Sequence, residues 1–284
     1  MAVKQIAAAV AFGFLAFFLA VFFPTSAAFA QANRDGDRMQ GQISFGFDGQ
    51  DYNTGRTSRV GSLDATVRLL PRLTLEAVAT GGVYFGERFG GGASYLTWKP
   101  DARTYVMAGG SRNSETRSTA EWSASLEAGR TLYQFDPNAI RRSLIRGVEA
   151  DVNLTEKAYS VSPSVRIFLA NPSLVVYLPR DWALTLRAGA IRSEVDGARK
   201  WTPSGGAKLD ISLTRKLRVS PGVAFDSELS DVVQINNISS RALGAGVHYW
   251  LTRSTSVGGY YFRVQYGANH LASDSYGVSY ALRF

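Results

Sequence analysis

The chain has 284 residues, no cysteine, a net charge of +8 and 45% hydrophobic residues. Without cysteine there is no disulfide scaffold, no thiolate metal site and no thiol catalysis, and two histidines give no zinc or transition-metal centre. Glycine (28), tyrosine (13) and phenylalanine (16) are plentiful, which suits many strands with one face toward an apolar medium and one toward a polar medium.

The first element is a leader. Lys4 precedes an apolar run over 6–23, Pro24-Thr25-Ser26 ends that run, and Ala28-Phe29-Ala30 places small residues at cleavage spacing. This predicts a signal peptide over 1–30, removed on export. An uncleaved anchor competes, because the run approaches the ~18 residues of a membrane span, but the polar residues from Gln31 onward argue for cleavage. Residues 31–39 read as a short flexible lead, and 40–284 as one domain.

Strands follow. Ile43, Phe45 and Phe47 alternate with Gln42, Ser44 and Gly46, and a polar loop is predicted over 48–59. Leu63, Ala65, Val67 and Leu69 alternate with Asp64, Thr66 and Arg68. Pro71-Arg72 turns, and Leu73, Leu75, Ala77 and Ala79 alternate with Thr74, Glu76 and Thr80. Residues 81–92 read as a glycine-aromatic loop. Strands over 94–98 and 104–110 flank the turn Lys99-Pro100-Asp101-Ala102. Trp122, Ala124, Leu126 and Ala128 alternate with Glu121, Ser123, Ser125 and Glu127. Strict alternation puts one set of side chains on each face of a strand.

Between Thr131 and Pro179 the pattern allows two or three strands. An even total is required of this architecture, which selects two, over 144–154 and 164–178, with a bulge at Asn171-Pro172. After the turn Pro179-Arg180-Asp181 come Leu184, Leu186 and Ala188, a long loop over 193–204, and Leu209, Ile211 and Leu213. Leu217, Val219, Val223 and Phe225 precede a long segment over 226–240. Leu243, Ala245, Val247 and Tyr249 lead to the turn at 251–254, and Tyr260, Phe262, Val264 and Tyr266 to the last loop. The chain closes on Tyr276, Val278, Tyr280, Leu282 and Phe284, apolar at every second position.

Short turns alternating with longer loops, and an aromatic C-terminal residue, predict an all-β fold: an up-and-down antiparallel transmembrane β-barrel of about 14 strands, with 12 or 16 as the neighbouring counts. Trp98, Tyr177, Trp182, Tyr249 and Trp250 lie beside the short turns, and Tyr84, Phe85, Trp122, Tyr261 and Tyr266 toward the other ends. These read as two interfacial belts.

The closing strand resembles the C-terminal signature of bacterial outer-membrane barrels. That resemblance implies an outer-membrane location and recognition of Phe284 by the barrel-assembly machinery. The hairpin Ser173-Leu-Val-Val-Tyr-Leu-Pro-Arg-Asp-Trp-Ala-Leu-Thr-Leu-Arg187, Gly222 in Ser220-Pro-Gly-Val, and the terminal Tyr280-Ala-Leu-Arg-Phe284 resemble barrels of the YaiO type. Some related barrels carry a helical repeat domain and serve polysaccharide export, and this chain has no such domain. The family supplies no agreed catalytic residues.

If lipid covers the apolar alternates, the polar ones face the lumen. That rule assigns Asp64, Glu76, Glu121, Glu127, Glu149, Asp151 and Asp210 inward, with Arg68, Arg166, Arg187, Lys208, Arg218, Arg263 and Arg283. Two outcomes are open: ion pairs that fill the lumen, or a channel whose charges select solutes. His248 falls inward near a short turn. His270 with Ser275, beside Asn269 and Asp274, is the candidate pair for an enzyme acting on lipid or lipopolysaccharide. The glycine-rich run 86–92 lacks the strand–helix setting of a nucleotide loop. Asp48, Asp51 and Asn53 could hold Ca²⁺, although without the EF-hand spacing. Nucleic acid is opposed by export. The expectation is a monomeric, non-enzymatic barrel without cofactor, a small-solute channel or structural envelope protein, in contact with outer-membrane lipid and lipopolysaccharide. A soluble β-sandwich is the remaining alternative.

Overall fold

The computed structural model describes residues 41–84, 86–114, 120–135, 144–159, 165–225, 240–267 and 271–284. The leader and the lead at 31–39 lie outside them. Fourteen strands form one closed antiparallel barrel in sequence order. They are β1 (Gly41–Tyr52), β2 (Thr57–Leu70), β3 (Leu73–Tyr84), β4 (Glu87–Trp98), β5 (Thr104–Asn113), β6 (Trp122–Gln134), β7 (Gly147–Tyr159), β8 (Val165–Leu178), β9 (Trp182–Val195), β10 (Ala198–Ser212), β11 (Leu217–Phe225), β12 (Ser240–Trp250), β13 (Thr255–Tyr266) and β14 (Leu271–Arg283). The seam pairs β1 with β14 from Gln42↔Arg283 to Tyr52↔Ser273. Gly41 and Phe284 therefore sit at one rim, called here the terminal rim, and the opposite end is the far rim.

Two strands fill the stretch from 131 to 179, and the register shows why Pro172 does not disturb them. Val152↔Pro172 and Asn153↔Asn171 continue the β7–β8 ladder without a shift, so there is no bulge at this proline. Pro172 lacks an N–H and needs no partner for one. Bulges occur instead at Arg68/Leu70 and Thr131/Tyr133, both near the terminal rim.

Three predicted loops are strand. The glycines of 81–92 pair across β3 and β4, as in Gly81↔Gly90 and Thr80↔Gly91. Residues 48–52 and 57–59 extend β1 and β2. The segment 193–204 is a hairpin closed by Asp196-Gly197, with φ of 48° and 82°. This is the two-residue turn whose left-handed positions favour Asp-Gly, a signal that the density of polar residues masked.

The outer surface is apolar. Phe45, Leu63, Leu96, Leu126, Val152, Leu186, Val223, Leu243 and Val278 are each roughly 40–65% exposed. A water-soluble sandwich would bury such side chains between sheets, so their exposure on a closed barrel discards that alternative. In hydrocarbon the ladders pair the backbone N–H and C=O groups of neighbouring strands, and closure leaves no edge. Trp98, Trp182, Tyr249, Trp122 and Tyr261 stand on the outer face near the rims, as an interfacial belt requires. Tyr177, Trp250 and Tyr266 of the predicted belts turn inward instead, and Phe85 lies outside the described residues.

Above the apolar zone, toward the far rim, the outer face changes character. Arg59, Arg88, Arg112, Arg166, Arg192, Arg199, Arg241 and Arg263 all project outward from strand positions, and six of them are exposed. On the strands' outer face near the terminal rim only Arg130 does so among the described residues.

At the terminal rim, Asp101 closes the β4–β5 turn by accepting the backbone N–H groups of Arg103 (2.7 Å) and Thr104 (2.8 Å). These bonds, the Arg103 one foremost, hold its carboxyl below the usual range. A depressed folded pKa stabilises above the unfolded value and is lost as pH falls through the folded one. Asp101→Asn should therefore lower resistance to urea at neutral pH, with the deficit shrinking below about pH 4. Separately, Leu126→Arg, on the lipid side of β6, should cost roughly 2–4 kcal/mol of folding free energy in bilayers, read from reversible urea titrations.

Candidate functional site: a lumen with two charged walls

Inward positions follow from strand parity: even residues on β1–β3 and β10–β13, odd ones on β4–β9 and β14. They enclose a cavity of about 690 Å³ to which all fourteen strands contribute. Ten of the fourteen charged residues picked out by alternation line it: Asp64, Glu76, Glu127, Glu149, Asp151, Arg187, Lys208, Asp210, Arg218 and Arg283. The other four lie elsewhere. Arg68 is exposed beside the β2 bulge, and Glu121 is half-buried just ahead of β6. Arg166 and Arg263 point outward, because their neighbours Val165, Ile167, Phe262 and Val264 take the inward positions.

Most of the charge is segregated around the ring, although Lys157 on β7 and Asp210 on β10 stand on the wall of opposite sign and Asp48 lies between the walls on β1. Asp64, Glu76, Glu127, Glu149 and Asp151 come from β2, β3, β6 and β7. Arg187, Lys208, Arg218 and Arg283 come from β9, β10, β11 and β14. On the acidic wall the carboxylates are held by neutral donors. Tyr105 donates to Glu127 at 2.8 Å and Asn153 at 3.1 Å. Ser173 donates to Asp151 at 2.6 Å, and Tyr177 to Glu149 at 3.1 Å. Asp64 and Glu76 are hydrogen-bonding neighbours of each other. Neutral donors fix Glu127, Asp151 and Glu149 without pairing them with a cation, whereas two carboxyl groups hydrogen-bond to each other only by sharing a proton.

The tyrosines reach these positions because glycine faces them. Tyr105 pairs directly with Gly129, and a Cβ there would overlap the Tyr105 ring. Glycine lets the ring lie flat on the wall, with its hydroxyl one residue pair away at Glu127.

The basic wall has its own supports. Lys208 pairs with Asp210 at 3.1 Å, with side chains 12% and 5% exposed, and Ser220 donates to Asp210 at 2.5 Å. Arg187 and Arg218 lie near Lys208. Arg218 sits 5.7 Å from the Trp250 ring centre, and the same ring is 4.2 Å from His248. Arg283 donates to Gln42 at 3.2 Å, which ties the wall to the seam.

The lumen changes toward the far rim. Tyr159, Val165, Ile167, Leu169 and Ile191 form one apolar cluster on β7–β9. Val60, Phe89, Phe262 and Val264 are buried on other strands. A polar group sits on the seam: Gln50 donates to Ser273 at 2.9 Å, Tyr52 to Gln50 at 3.0 Å, and the Tyr52 and Tyr266 rings stack at 6.4 Å. Toward the far rim the interior is thus lined largely by apolar side chains packed on the wall, and most of the charged groups of the cavity lie nearer the terminal rim.

Alternation pointed to the carboxylates and bases but missed Tyr95, Tyr105, Asn153, Tyr177 and Trp250. Their parity was readable only once each strand's phase was known. The Ca²⁺ reading fails: Asp48 faces inward and accepts from Tyr260 at 2.8 Å, whereas Asp51 faces outward, bound to Arg59 at 2.8 Å. No group of three potential ligands occurs among the described residues. Ser275 is buried on the inner face of β14, and its suggested partner His270 lies outside the described residues.

No family model and no curated protein sequence matches the chain. Solved structures do match in fold. The toluene transporter TodX of P. putida aligns with a TM-score of 0.51 at 9% identity, over 90% of this chain and 92% of that one. The anion-selective porin of Comamonas acidovorans gives 0.48 at 8% identity, over 87% and 98%. The translocator domain of the autotransporter NalP from Neisseria meningitidis gives 0.43 at 14%, over 93% and 99%. The likeness is one of fold, and with its apolar exterior the chain is a membrane-spanning, up-and-down β-barrel.

Removing one member of the Lys208–Asp210 pair leaves a charge in a confined site, and removing both does not. Asp210→Asn should cost roughly 3 kcal/mol of stability, and K208M/D210L should recover most of it. Urea unfolding of the two variants in bilayers provides the comparison.

Proposed function

We propose that this barrel is a non-enzymatic outer-membrane channel for small polar solutes, and that solutes carrying both signs of charge suit it best. The observation that carries this reading is the pair of opposed walls around one cavity. A field across the lumen, rather than along it, aligns a solute with separated charges so that each end meets its counter-charge. A cavity of about 690 Å³ is on the scale of a small-molecule site. The hydrogen-bond donors that Glu127, Glu149 and Asp151 accept from are neutral side chains, so these carboxylates are not matched one to one with cations on their own wall. The narrower kinship we propose, with barrels of the YaiO type, is supported by the Ser173–Arg187 hairpin and the terminal Tyr280–Phe284 segment.

Planar-bilayer recording tests the reading. The purified barrel should give ohmic steps. E76Q/E127Q/D151N should shift the reversal potential in a salt gradient toward anion selectivity, and R187Q/R218Q toward cation selectivity. A folded barrel that stays silent, or conducts with selectivity indifferent to both sets, overturns the proposal.

A further inference from the structure

The far-rim arginines are arranged in tiers on β8, β9 and β10. In the top row Arg166 and Arg199 both stand opposite Glu194. Glu194 is engaged by Arg199 at 2.9 Å, while Arg166 is exposed and makes no ion pair among the described residues. In the next row Phe168 and Trp201 flank Arg192, whose guanidinium lies 5.4 and 5.9 Å from their ring centres. The two rings meet edge to face at 6.4 Å. Below them, Ala170, Ala190 and Pro203 make a row of short side chains on the same outer face. The order down the wall is charge, aromatic ring, shallow apolar trough.

That order matches a lipid whose head bears phosphate and whose chains lie beneath. Guanidinium binds phosphate in a fork geometry. Aromatic rings settle at the boundary between head and chain, and the trough leaves room for an acyl chain against the wall. Glu194 and, beside Phe168, Glu156 are the carboxylates on this face, and of the three guanidinium groups only Arg199 is ion-paired among the described residues, which leaves Arg166 and Arg192 open to phosphate. A ladder neighbour lies about 5 Å away, so the three are close enough to address two phosphates of one molecule. The terminal rim has no equivalent. Among the described residues there, Arg72, Arg180 and Arg253 sit in the connections, Arg68 lies beside the β2 bulge, Arg218 and Arg283 turn into the lumen, and Arg130 on β6 is the one arginine on the outer face of a strand.

We propose that the Arg166, Arg192 and Arg199 face of β8–β10, with Phe168 and Trp201, is a docking site for bisphosphorylated lipid A, the membrane anchor of outer-leaflet lipopolysaccharide. The site uses the outer wall alone and does not depend on conduction through the lumen. The wall supplies phosphate ligands above and an acyl groove below, so the lipid is held at both its ends.

Native mass spectrometry of the full barrel, released from detergent micelles doped with bisphosphorylated lipid A, reads the binding. Wild type should retain the lipid. R166Q/R192Q/R199Q should bind it more weakly by about fivefold per arginine removed, and R130Q should bind as wild type does. The phosphate-free form of the same lipid A should bind wild type no better than the triple variant binds the phosphorylated form. Undiminished binding by the triple variant overturns the proposal. So does equal binding of the phosphate-free lipid, which would make the wall an acyl groove only. Equal binding of phosphatidylglycerol would also overturn it, as a general anionic-lipid surface. If the triple variant fails to fold, judged by heat-modifiable migration, R166Q alone carries the test through its exposed side chain, with about fivefold weaker binding expected.

Discussion

The seam between β1 and β14 is the contact on which the rest depends. It joins residues more than two hundred positions apart through eleven consecutive residue pairs. In hydrocarbon an open sheet edge leaves unpaired N–H and C=O groups, each costing several kcal/mol. Closure removes both edges together. Once the wall is closed, strand parity becomes absolute: each residue faces either the lumen or the surroundings, and a polar side chain on one side has an apolar neighbour on the other.

The surroundings are not uniform along the wall, and the residues follow them. Around the middle and toward the terminal rim the exterior is apolar and the interior charged. Toward the far rim the polarity inverts, with Arg166, Arg192 and Arg263 outside while Ile167, Ile191, Phe262 and Val264 lie inside. One physical rule covers both levels. Side chains are apolar wherever they meet hydrocarbon or one another, and charged wherever they meet water or lipid head groups. The packed interior near the far rim and the charged cavity below it are consequences of the same strands passing from one medium to the next.

This inversion explains what could be read from the residues and what could not. The closing strand, β2 and β12 were legible because their alternation is strict and lies at membrane depth, where the apolar phase must face outward. The total of fourteen strands was legible for the same reason, with parity of the count deciding the ambiguous middle. In β8 and β13 the alternation is equally clear, but the apolar phase is the inner one near the far rim. Val165-Arg166-Ile167 and Phe262-Arg263-Val264 look like lipid-facing repeats and are the reverse. Alternation reveals that two faces differ and does not name them; depth does. The glycine pairs across β3 and β4 were mistaken for a loop because glycine alone has no face. The segregation of charge was beyond reach for another reason: it is angular, and a linear pattern carries no angle. It emerged only when the register placed Glu127 and Asp151 on one arc and Lys208 and Arg218 on another.

The Asp196-Gly197 hairpin has a consequence for how such a wall comes into being. Thirteen consecutive pairs run down from it, from Val195↔Ala198 to Ala183↔Asp210, and two residues separate its arms. Bringing those arms together costs almost no loop entropy, whereas the cost of joining distant segments grows with the logarithm of the intervening length. Neighbouring hairpins share this local advantage, and β1 meeting β14 has none of it. Chain entropy therefore favours a curled, unsealed sheet ahead of the finished cylinder, with the long-range join as the slowest encounter.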